Sequence, residues 1–109
     1  MTKYFYSHLV SIDTISQDLD RLDITKKEKQ ELLGLAHAHT HQQIIESILS
    51  NLSDDDKKKF LELLAYGQDE KIWKHLNEKV ENIEDKIRLA GKQLENELRN
   101  DIKKLKSWY

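Results

Sequence analysis

The sequence predicts an all-α fold: a helical bundle of three shorter helices plus a long C-terminal amphipathic helix that dimerises in coiled-coil fashion. Three observations carry this reading. The 109 residues include no proline and only three glycines, so little in the chain interrupts a helix. Leu, Ile, Glu and Lys, all compatible with long helices, are abundant. Apolar residues recur at three- and four-residue intervals over most of the chain, the period of a helix with one apolar face. The length is that of one domain, residues 1–109.

The first helix is expected over residues 8–22 with Ser7 as its cap, because Leu9, Ile12, Ile15, Leu19 and Leu22 lie on one stripe. The second is expected over 26–51. Thr25 and Glu28 have the spacing of a capping box, in which each side chain reaches the other residue's backbone N–H. Its apolar residues form two stripes, one through Leu35, Ala38, Ile45 and Leu49 and one through Leu33, Thr40, Ile44 and Ile48. A helix so patterned packs on two sides and belongs at the centre of the molecule.

The third helix is expected over 54–66. Ser53 caps it, Asp54, Asp55 and Asp56 sit at the positive end of its dipole, and Gly67 ends it. The fourth is expected over 70–107, capped by Asp69. Trp73, Leu76, Val80, Ile83, Ile87, Ala90 and Leu94 follow alternating steps of three and four, which is a heptad seam. Leu98 and Ile102 then continue at steps of four, a stutter that relaxes the supercoil. Unbroken, this helix would be about 57 Å long at 1.5 Å per residue and would outrun its neighbours. A bend near Val80–Asn82, with Asn82 opening a new segment, is the alternative. The heptad that runs straight through that point favours the unbroken form.

Composition excludes several classes of function. There is no cysteine, hence no disulfide, thiolate nucleophile or cysteine-based zinc site. The start, MTKYFYSHLVSIDT, lacks the apolar core of a signal peptide, and no apolar run is long enough to cross a bilayer, so a cytoplasmic location is expected. A net charge of −2 argues against bulk attraction to nucleic acid. The charge is nevertheless uneven: residues 86–109 hold seven basic against three acidic side chains, a local excess of +4.

The stretch GLAHAHTHQQ places His37, His39 and His41 at alternate positions. On a helix, His37 and His41 share a face, a pair suited to bidentate metal binding, and His39 points nearly opposite. The zincin motif needs Glu where Ala38 stands, and no histidine follows an acidic residue by three, as di-iron bundles require. Polar packing on a helix with two buried sides is therefore the stronger reading, and no cofactor is expected.

The basic end RNDIKKLKSWY offers Lys103, Lys104, Lys106 and Trp108 to phosphates, bases or an anionic surface. Cations in the last turns of a helix also complement its dipole. The carboxylates pair with bases at helical spacing, as in Glu70–Lys74, Glu84–Arg88 and Glu95–Arg99, so they form solvated faces rather than acid/base sites, and no enzyme is expected.

The block ILSNLSDDDKKKFLELLAYGQDEKIWKHL, residues 48–76, resembles the helix-pair core of small uncharacterised bacterial all-helical proteins. Those show a leucine–serine cap, a lysine-rich helix ending in Leu-Leu-x-x-Gly and an acidic start to the next helix. The resemblance implies a helical fold and no particular activity.

The resulting expectation is a non-catalytic interaction or assembly module acting through a second copy or a helical partner. Its contact would be formed by Trp73, Leu76, Val80, Ile83, Ile87, Ala90, Leu94, Leu98 and Ile102. Binding of nucleic acid or an anionic surface by the basic tail is the first alternative, and a histidine-based metal site is the second.

Overall fold

The computed structural model describes residues 4–106, which form five helices, the turns between them and a non-helical N-terminal segment over residues 4–12. In chain order the helices are α1 (Asp13–Asp20), α2 (Lys26–Leu49), α3 (Asp54–Ala65), α4 (Asp69–Lys79) and α5 (Ile83–Lys106). No helix among the described residues is long and apolar enough to cross a membrane.

The best-defined boundaries are those where side chains satisfy the helix ends. Thr25 Oγ1 accepts from the Glu28 N–H and Glu28 Oε1 from the Thr25 N–H, both at 3.1 Å, completing the capping box of α2. Ser53 Oγ accepts from the Asp56 N–H at 3.3 Å to open α3. At the other end of α3, Gly67 adopts φ +66°. The Gln68 N–H then returns to the Leu63 carbonyl and the Gly67 N–H to the Leu64 carbonyl, a Schellman motif. The start of α4 differs from expectation: Gln68 holds the cap position without a side-chain bond, and Asp69 is already the first helical residue.

Two expected elements are corrected. The first helix spans only Asp13–Asp20 instead of 8–22. Ser7 does not cap it, because its hydroxyl accepts from the Tyr4 N–H at 2.8 Å and closes a turn of the preceding segment. The unbroken helix over 70–107 is in fact two helices. Val80 is extended (φ −131°, ψ 119°), and Asn82 lies in the left-handed region at φ 55°. This turn leaves Val80 5% and Ile83 1% exposed. Burying two such side chains is worth about 1.5–3 kcal/mol each, which exceeds the roughly 1–2 kcal/mol of one left-handed residue. Asparagine is also among the residues that tolerate that conformation best.

The break leaves α5 with 24 residues, the same length as α2. They run antiparallel, since Ile44 and Ile48 meet Ile83 and Ile87 at one end while Ala36 meets Ile102 at the other. The molecule is accordingly elongated, 47 × 23 × 21 Å. The buried stripe of α2 is Ala36, Thr40, Ile44 and Ile48. The other expected stripe is turned outward at Leu35 and Ala38 and only half-buried at Ile45 and Leu49.

Two apolar clusters result. The larger joins the N-terminal segment, α2, α3, α4 and α5 around Ile44, Phe60, Ile72, Leu76 and Ile87. The smaller, Ile15, Leu19, Leu22, Ala36 and Ile102, lies where α1 covers the far half of α2 and α5. Between them runs the N-terminal segment. Phe5 and Tyr6 enter the larger cluster, and Trp73 Nε1 donates to the Phe5 carbonyl at 3.1 Å. Val10 is seated on Gly91 of α5, where an added Cβ would lie 2.8 Å from a Val10 methyl.

Candidate functional site

The fold turns the expected coiled-coil seam inward. Leu76, Val80, Ile83, Ile87 and Ile102 are buried in this chain's own clusters, Leu94 is also buried, and Trp73, Ala90 and Leu98 are half-buried against the clusters. The heptad pattern is thus satisfied by an intramolecular bundle. A coiled coil through these residues would require the bundle to open.

The three histidines of α2 go to three environments. His41 is half-buried, its ring stacked on Tyr4 at 4.1 Å between centroids. Its Nδ1 lies 2.6 Å from the Tyr6 hydroxyl. With the ring proton on Nε2, the phenol donates and Nδ1 accepts. Burial, and secondarily the neighbouring Tyr4, pushes the Tyr6 phenol well above its ordinary range, which keeps that donor protonated. Burial likewise lowers the pKa of His41 and favours the neutral ring that can accept.

His37 is exposed at the rim of a cavity of about 70 Å³ shared with Tyr4, Tyr6, Ser7 and Thr40. His39 is exposed on the other side of the helix. The candidate metal pair His37 and His41 therefore has one member committed to a tyrosine. Among the described residues no group of three His, Asp or Glu side chains is placed to hold an ion. His75, which is buried, bonds through Nε2 to the Asp56 carbonyl at 3.1 Å and ties α4 to the first turn of α3.

The most apolar opening in the surface is a groove of about 230 Å³ between α1, α2 and α5. Ile15 and Leu19 come from α1, Leu32, Leu35 and Ala36 from α2, and Leu98 and Ile102 from α5; His39 and Asp101 stand among them. Leu35 is 68% exposed at this groove. The cause is geometric: α1 has eight residues, against 24 in each of the helices it covers. At about 1.5 Å per residue it spans only about 12 Å of their length.

At the basic end, the expected Glu95–Arg99 pair is replaced by a contact between helices. Arg99 Nε donates to Asp18 Oδ2 of α1 at 2.9 Å. Arg21 Nη1 lies 3.9 Å from the other Asp18 oxygen. Lys103 joins these residues in lining a cleft of about 100 Å³. Lys104 is exposed on the same helical turn. Trp108 lies outside the described residues, as does the side chain of Lys106. Elsewhere Glu84 and Asp85 meet Arg88 and Asp54 meets Lys57 in exposed helical pairs, while Asp20–Lys29 and Asp56–Lys79 join different helices.

Sequence reasoning missed the Tyr4–Phe5–Tyr6 segment, the Tyr6–His41 bond and the groove. Three consecutive aromatics before the first helix were a usable signal, since side chains of this size seldom lie idle on a surface. The groove had no such signal, because it arises from the mismatch in helix length. No family model matches this chain, and no curated protein or solved structure matches it either.

Proposed function

We propose that this chain is a non-catalytic helical interaction module that self-associates through the groove between α1, α2 and α5. The single observation that supports this reading is the adjacency of a knob and a hole on one face. Leu35 projects with 68% of its surface exposed beside an almost wholly apolar groove of about 230 Å³. A two-fold axis through that face lets each copy's Leu35 enter the other's groove, the self-complementary arrangement of an isologous contact. A net charge of only −2 sets little electrostatic repulsion against association.

Light scattering across a concentration series tests the reading. A dimer is expected, and Leu35→Asp should convert it to a folded monomer, because the exposed site tolerates a charge in the monomer but not in the contact. Leu89→Asp, at a residue 59% exposed on α5 and outside the groove, should leave the mass unchanged. A wild-type monomer at high micromolar concentration, or equal effects of the two variants, overturns it. Ile83 is no use as a probe of this contact, being 1% exposed inside the larger cluster.

A further inference from the structure

The geometry points to an oxyanion-binding cleft at the basic end of the molecule, formed by Arg21, Arg99 and Lys103 and sized for one tetrahedral phosphate, free or as a monoester. The inference does not rest on self-association. The cleft lies where α1 and α5 run side by side, with Asp18, Arg21, Arg99, Ile102 and Lys103 enclosing about 100 Å³. Three cations thus surround one carboxylate.

That carboxylate does not use them up. Asp18, whose side chain is 12% exposed, takes a hydrogen bond from Arg99 Nε at 2.9 Å and fixes the guanidinium in place. Only this nitrogen of Arg99 is engaged among the described residues. Arg21 Nη1 stands 3.9 Å from Asp18, beyond hydrogen-bond range. Lys103, one turn beyond Arg99 on α5, has no acidic partner among the described residues.

Complementing helix dipoles does not account for the whole cluster. The C-terminal ends of α1 and α5 each present about half a negative charge. Set against them and Asp18, the three cations leave an excess of about one positive charge in the cleft. Guanidinium forks offer paired donors to a tetrahedral oxyanion, and the Ile102 side chain gives an ester carbon an apolar wall. A nucleic-acid backbone is a poorer fit. Asp20, Asp23 and Asp101 stand close in sequence to the three cations, so the positive surface holds one phosphate rather than following a strand.

NMR titration of the full chain with inorganic phosphate, and in parallel with glycerol phosphate, is the test, with sodium chloride at matched ionic strength as the reference. Saturable shifts confined to residues near 18–22 and 98–104 are expected. Binding of both ligands identifies a monoester site, and binding of inorganic phosphate alone identifies free phosphate; either supports the cleft. Arg21→Gln and Lys103→Gln, both at exposed positions, should each weaken binding about three- to tenfold, since each removes one charge-assisted bond. Lys58→Gln on α3 should have no effect. Shifts that match those in chloride, or affinity unchanged in both cleft variants, overturn the assignment. So does tight, steeply salt-dependent binding of duplex DNA without binding of phosphate.

Discussion

The two apolar clusters are built on the same pair of long helices, yet one is closed and the other is not. At the α3–α4 end, the half of α2 that carries Ile44 and Ile48 meets a helical hairpin, the start of α5 and the N-terminal aromatics. Ile44, Phe60 and Leu76 there are all 0% exposed. At the opposite end, the half that carries Ala36 meets the short α1, the flanking Ile12 and Ile24 and the end of α5, and a groove remains. Closure depends on how much helix is laid across the α2–α5 pair, not on how apolar the pair is. Stability should therefore be concentrated at one end and binding surface at the other.

Truncations at the two ends should break this comparison most sharply. Phe60→Ala in the closed cluster should cost about 3–5 kcal/mol, because the close-packed site cannot collapse around the lost ring. Leu98→Ala at the open groove should cost about 1 kcal/mol, since that side chain is only half-buried to begin with. Urea unfolding of the two variants measures both values. Equal losses would mean that the groove is as tightly packed as the hairpin end, and the division into closed and open clusters would be wrong.

A smaller effect is expected where the N-terminal segment crosses between the clusters. A Cβ added to Gly91 would lie 2.8 and 2.9 Å from the two methyl carbons of Val10. Alanine normally favours a helix interior over glycine by about 1 kcal/mol. Here the overlap should reverse that gain and leave Gly91→Ala destabilised by about 1 kcal/mol or more. Adding Val10→Ala should restore the ordinary preference, so the pair should be strongly non-additive in a double-mutant cycle. Simple additivity would show that the segment does not sit on Gly91.

What was legible in the sequence follows the same division between local and tertiary causes. The boundaries of α2 and of α3 could be read because Thr25, Glu28, Ser53 and Gly67 act within a few residues of themselves. The break at Val80–Asn82 could not. Leu76, Val80, Ile83 and Ile87 keep helical spacing whether they lie on one helix or line the inside of a corner between two. Periodicity identifies the apolar face but not what covers it, so a seam buried within one chain reads the same as a seam between two. At the histidines, spacing correctly separated His39 from the other two. It could not bring Tyr6, 35 positions away, to His41.

The Tyr6–His41 contact provides the smallest predicted effect, and it bears on the boundary between the two clusters. Burial lowers the pKa of folded His41 below its ordinary 6.5. The unfolded chain therefore binds this proton first as the pH falls, and stability declines with it. The contribution is fully present above pH 6.5 and is lost as the pH falls through the lower folded-state value. Protonation at Nδ1 also turns that nitrogen from acceptor to donor, so the Tyr6 hydroxyl must give up the bond it donates. Urea unfolding followed between pH 7 and pH 5 should thus show a decline in the wild type that is shallower in His41→Gln. Parallel curves for the two proteins would mean that the ring is solvated at both protonation states, and that the aromatic segment does not seal the junction between the closed and open clusters.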